Sequence, residues 1–96
     1  MHYSALKLVV ADIRSARINL AAAKELLGKC KYSGAKEKID ESVSFYKKAL
    51  GAGSDSRLSI ECAGALLVKG KIEVALTGKI PLSVFYEALL NNPKIA

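Results

Sequence analysis

The 96-residue chain has no tryptophan and only one histidine, one methionine, two prolines and two cysteines. Each scarcity excludes something. His2, at the extreme start, cannot be held in place as a general base, and Ser54, Ser56 and Ser59 lack a histidine to activate them. Cys30 and Cys62 are too far apart for a local metal knuckle and have only His2 to assist them, so no catalytic residue, cofactor or metal site is expected. Both thiols read as small apolar core residues, the common role of a free cysteine. Long hydrophobic runs are also missing. Lys7 and Asp12 bracket residues 8–11, and Lys69 and Lys71 interrupt the run after Cys62, well short of the roughly 18–20 residues a membrane span requires. The start, Met1-His2-Tyr3-Ser4, has no basic region followed by an apolar stretch, so no secretion signal is expected and the cytoplasm is the default location. No alternation of strand type appears at useful length, which leaves an all-α fold.

What the chain does have is apolar content and positive charge. Hydrophobic residues make up 51% and the net charge is +6; mean hydropathy is +0.20. One domain, 1–96, is expected, with more apolar surface than four short helices hide, and self-association as a homodimer is the simplest remedy. A protein partner is the natural extension of that reading. The positive charge permits anion binding without demonstrating it.

The strongest pattern lies at the start. Leu6, Val9, Ile13, Ala16, Leu20, Ala23 and Leu27, continued by Cys30, alternate at spacings of three and four, an a/d seam over more than three heptads. Large residues alternate with mostly small ones, which lets a partner helix approach closely. These seam residues are the candidate self-association surface, with an apolar third helix (about 57–77) as the alternative. The first helix is expected from about Ser4 to Gly28, with Gly28 as a left-handed cap. Ser33 is expected to cap a second helix reaching about Leu50, with Ile39, Val43, Tyr46 and Leu50 on one face and Lys36, Glu37, Asp40, Glu41 and Lys47 largely on the other.

Gly51-Ala52-Gly53-Ser54-Asp55-Ser56 forms the strongest break. Its first four residues resemble a phosphate loop, but they follow a helix and lack the Gly-Lys-Ser/Thr ending, so they read as a turn. Asp55 or Ser56 caps a third helix, about 57–77, apolar nearly all round between Ile60 and Val68 and therefore expected to be the most buried. Gly64 is expected to mark a close helix contact, and Gly70 a kink or an early stop. Pro81 suits the first turn of a short fourth helix, 82–91, with Val84, Phe85, Ala88 and Leu89 as one apolar stripe. The expected architecture is a three- to four-helix bundle with a long heptad-patterned N-terminal helix.

Three groups of side chains are candidate sites. Lys29, Lys31, Lys36, Lys38, Lys47 and Lys48, in the segment 29–48, are the candidate phosphate contacts of an alternative reading, a nucleic-acid-binding accessory protein. Against it, Glu37, Asp40 and Glu41 interrupt the run, and Glu37 and Glu41 can pair with neighbouring lysines at helical spacing. Arg14 and Arg17, beside the seam, read as interhelical ion-pair formers. The neighbouring pairs Phe45-Tyr46 and Phe85-Tyr86 each place one ring inward and one at a rim, and are expected to pack between the second and fourth helices.

The segment Glu41-Ser42-Val43-Ser44-Phe45-Tyr46, followed after the turn by Ser56 through Ile60-Glu61-Cys62-Ala63-Gly64-Ala65-Leu66-Leu67, resembles the small archaeal helical-bundle family described as domain of unknown function 357. In that family an aromatic-rich helix end leads through a glycine-containing turn to a helix with an apolar residue, an alanine and a Leu-Leu pair. The resemblance covers about the middle third of the chain and implies an archaeal source and a helical bundle; the family has no established activity. Where the family has a Gly-Asp-aromatic turn this chain has Gly51-Ala52-Gly53-Ser54-Asp55, and where it has Tyr-Ala-His this chain has Cys62-Ala63-Gly64, so no histidine role carries over.

Overall fold

A computed structural model describes residues 3–53 and 55–92, with side chains from Leu8 onward in the first helix. Leu6 of the seam and His2 therefore lie outside the described side chains. Four helices follow in order: α1 (Tyr3–Gly28), α2 (Tyr32–Gly51), α3 (Ser56–Thr77) and α4 (Leu82–Asn91). The fold is all-α, with no strand among the described residues.

The heptad seam of α1 is spent inside the chain. Ala16 and Ala23 are fully buried, and Val9, Ile13, Leu20 and Leu27 pack against the same core. Their partner is α2, through Ala35, Ile39, Val43, Tyr46 and Ala49. The alanines bring the two backbones close enough for the buried hydroxyl of Ser42 to donate to the Ala16 carbonyl at 2.7 Å. The sequence offered these residues as a surface between copies; a helix hairpin with only three residues between its arms gives the seam a nearer partner. Cys30 does not extend it. The left-handed residue after α1 is Cys30, with φ 59°, rather than Gly28. Lys31 N–H donates to the Leu26 carbonyl at 2.9 Å and Cys30 N–H to that of Leu27 at 3.0 Å, the paired closure of a Schellman motif. Cys30 is consequently exposed while Cys62 is buried, so the shared core role holds for Cys62 alone. Ser33 lies within α2, whose N-cap is Lys31 with no side-chain cap.

Helix α3 begins at Asp55, whose carboxylate accepts from Arg57 N–H at 2.8 Å. It runs unbroken through Gly70 and ends at Gly78, left-handed at φ 73°, a conformation glycine adopts without a Cβ penalty. The close contact expected at Gly64 falls at Gly70, and neither glycine kinks the helix. A Cβ on Gly70 would stand 2.4 Å from the Phe85 ring, whereas one on Gly64 would meet nothing within 4 Å. Gly70 is thus the seat of an α4 aromatic ring, and Gly64 faces open space.

Helix α4 packs on α3 and not on α2, so the aromatic pairs do not pack between α2 and α4 as expected. Phe85 sits on Gly70, and the Ser59 hydroxyl donates to the Asn91 carbonyl at 3.0 Å. Between α2 and α4 stands one ion pair, Lys47 to Glu87 at 2.9 Å. Around α3, Ser59 and Gly70 meet α4, Glu61 meets Arg17 of α1, and Lys69 and Glu73 meet Asp40 and Lys36 of α2. Neighbours thus cover three sides of α3, and the molecule measures 45 × 26 × 15 Å.

Candidate functional site

The lysines of α2 do not form a free basic stripe. Lys29 pairs with Glu25 at 3.1 Å, Lys36 with Asp40 at 2.9 Å and Glu73 at 3.8 Å, and Lys47 with Glu87. Lys48 lies over the Phe45 ring, 5.2 Å from its centroid. Lys31 and Lys38 are left without an ion pair among the described residues. The acids that do the pairing differ from those expected, since Glu37 and Glu41 face outward without a partner among those residues. Asp40 also stands 3.3 Å from Lys69 of α3 through Oδ1, a charge contact without hydrogen-bond alignment. The Asp40 hydrogen bond raises the pKa of Lys36, so its charge is held more firmly where it bridges α2 and α3. A groove of about 480 Å³ between these helices is lined by Asp40, Val43, Ser44, Lys47, Lys48 and Lys69. Its acid and the nearby Glu87 neutralise two of its three lysines.

A clasp joins α1 to α3. The Arg17 guanidinium donates two hydrogen bonds to Glu61, at 2.8 and 2.7 Å, in the fork geometry that suits a carboxylate. Arg17 thereby fulfils the ion-pair role expected of it; Arg14 has no ion pair among the described residues. Tyr46, buried to 0% exposure, donates its hydroxyl to the same carboxylate at 3.1 Å. Arg17 holds Glu61 below the usual carboxylate range, while burial, then the Glu61 charge, push the Tyr46 hydroxyl up to about 12. Glu61 is therefore the ionised centre of the clasp. Beside it a groove of about 400 Å³, bordered by Leu20, Ala21, Lys24 and Gly64, stays open.

Chemistry beyond this is sparse. Among the described residues no three His, Cys, Asp or Glu side chains converge on a common point, and burial raises the Cys62 thiol pKa, which keeps it inert. No helix among the described residues is long and apolar enough to cross a membrane.

The largest unassigned feature is apolar. Ile18 is 63% exposed, Ile60 49%, Leu82 75%, Tyr86 64% and Leu90 66%. Leu82, Tyr86 and Leu90 recur every four residues and form a stripe on α4. Leu82, Ser83, Phe85, Tyr86 and Leu89 line a shallow, almost wholly apolar depression there. Sequence reasoning offered the apolar third helix for self-association but missed the α4 part of this surface, because it gave α4 a single apolar stripe (Val84, Phe85, Ala88 and Leu89); the available signal was that α4 has apolar residues on more than one side. The chain matches no family model, no curated protein and no solved structure.

Proposed function

We propose that the chain is a non-enzymatic helical interaction module that self-associates, as a homodimer, by covering apolar surface its own fold leaves in water. The observation that carries this reading is the exposure of Ile60, Leu82, Tyr86 and Leu90 outside a core already filled by side chains of all four helices. Each such side chain, taken from water, contributes about 1.5–3 kcal/mol, and monomers rarely leave that much unspent. Two free thiols, one exposed, support the cytoplasmic setting that belongs to this proposal. The resemblance to the archaeal family described as domain of unknown function 357 adds the source and no activity.

The alternative, phosphate contact through the lysines, has weaker support, since three of the six are already neutralised by acids. Light scattering coupled to gel filtration, with the absorbance ratio followed for nucleic acid, separates the two. A salt-resistant dimer free of nucleic acid is the expected result. A monomer that carries nucleic acid at low salt and sheds it at high salt would move the function to the lysine face.

A further inference from the structure

Beyond self-association, we propose that the channel between α1 and α3 receives an amphipathic helix of a partner protein, apolar on one face and flanked by acidic residues. Helices α1 and α3 both lean on α2 and touch each other little, which leaves the channel between them. Val10, Arg14, Arg17, Ala21 and Lys24 recur at intervals of four and three, so they share one face of α1 beside its core seam, and all five are exposed. Two hollows lie along that face. One, the groove of about 400 Å³ beside the clasp, has Leu20, Ala21, Gly64 and Tyr46 in its lining. The other, about 370 Å³, is lined by Val10, Ile13, Arg14, Arg17 and Ile18. Arg17 borders both, so they adjoin, and from Val10 to Lys24 they follow α1 for about 21 Å, or roughly four turns. Ile60, Leu82, Tyr86 and Leu90, which carry the self-association reading, line neither hollow.

Charge decides the occupant. Arg17 and Glu61, bonded to each other, cancel. Arg14 and Lys24 have no ion pair among the described residues, and Glu25, beside Lys24 in sequence, is taken by Lys29 at 3.1 Å. The lining therefore holds two uncompensated cations and no free carboxylate. Between them the wall is largely apolar, with Val10, Ile13, Ile18, Leu20 and Ala21. A nucleic acid would answer the cations and leave those side chains wet. A helix with leucines on one face and carboxylates beside them answers both, the helix-in-groove mode of recognition. Arg14 and Lys24 are ten residues apart, about 15 Å along α1, so the matching carboxylates stand about three turns apart on a partner helix lying along it. The open space at Gly64 admits a large apolar side chain of that helix. Acids at this spacing fix the register and speed the encounter, while apolar contact supplies most of the affinity.

Peptide selection tests the assignment. A displayed library of helical peptides about 18 residues long, enough to span the channel, is selected on the full chain. Selected peptides are then titrated against the wild type and the Arg14→Glu/Lys24→Glu variant, whose helicity is checked by circular dichroism, and the bound surface is mapped by amide chemical shifts. The wild type is expected to select peptides with one apolar face and carboxylates about three turns apart. These should bind the variant about tenfold or more weakly, since two opposite-charge contacts become like-charge ones, and shift resonances of α1 and α3. Basic or uncharged peptides, equal affinity for the two chains, or no selected peptide would overturn the inference. So would shifts confined to residues 82–90, which would place apolar binding on the surface assigned to self-association. Duplex RNA, run beside the peptides, that binds the wild type and not the variant while no acidic peptide does would give this face to nucleic acid. A monomeric chain that still selects acidic peptides would refute self-association and leave the channel its partner.

Discussion

Helices α2 and α3 are of nearly equal length, 20 and 22 residues, and meet across the same core. They divide their apolar residues in opposite ways. In α2, Ile39, Val43 and Tyr46 face inward, and Glu37, Glu41, Ser44 and Lys48 face out, so one stripe is buried and the rest is content in water. In α3 the apolar residues run all the way round, and the neighbours α1, α2 and α4 cover only three sides, leaving Ile60 and Val74 in solvent. An amphipathic helix is finished by one fold; an all-round apolar helix asks for a further neighbour. That difference is why the proposed interaction surface includes Ile60 of α3 beside the α4 stripe and leaves out the lysine-bearing α2.

The comparison is broken most severely from the inside. Ile39→Ala, at a fully buried position of α2, is expected to cost about 2–5 kcal/mol in urea unfolding. Ile60→Ala, in dilute solution, should stay within about 0.5 kcal/mol of the wild type. The two glycines of α3 sharpen the contrast. Gly70→Ala drives a methyl into the Phe85 ring and should cost about 1–3 kcal/mol. Gly64→Ala meets nothing within the chain and should gain about 0.5–1 kcal/mol from helix propensity alone, measured where any dimer is dissociated. Equal effects at the two glycines would refute the assignment of one as a seat and the other as open.

A smaller effect tests the α1–α2 turn. Cys30→Gly relieves a left-handed cysteine and should raise stability by about 1 kcal/mol, read from the thermal midpoint. The smallest is a pH effect. Because Arg17 lowers the pKa of Glu61 in the fold, the clasp contributes fully above the ordinary carboxylate value of about 4.3. That contribution is lost as pH falls through the lower folded value. The stability gap between wild type and Glu61→Gln should therefore narrow between neutral pH and about pH 3, and a gap independent of pH would show that the clasp contributes nothing.

The helices were legible because periodicity and breakers act locally: the Asp55 cap, the end of α3 at Thr77 and the single apolar face of α2 all follow from neighbours in sequence. What was not legible depends on which helix meets which. The α1 seam has the same pattern whether it binds α2 or a second copy, and only the short turn through Cys30 decides. Gly64 and Gly70 are equal in propensity, and their roles separate only once Phe85 is placed over one of them. The ion pairs followed the same rule. Lys36 bonds to Asp40 four residues on, as helical spacing allows, but its contact with Glu73 and that of Lys47 with Glu87 needed the tertiary arrangement.

The most direct measurement is sedimentation equilibrium of the wild type and Ile60→Glu side by side over a wide concentration range, with helicity checked by circular dichroism. The wild type is expected as a dimer that dissociates on dilution, and Ile60→Glu as a monomer of unchanged helicity. A wild type that remains monomeric at the highest concentration, or an Ile60→Glu chain that dimerises as tightly as the wild type, would contradict the account.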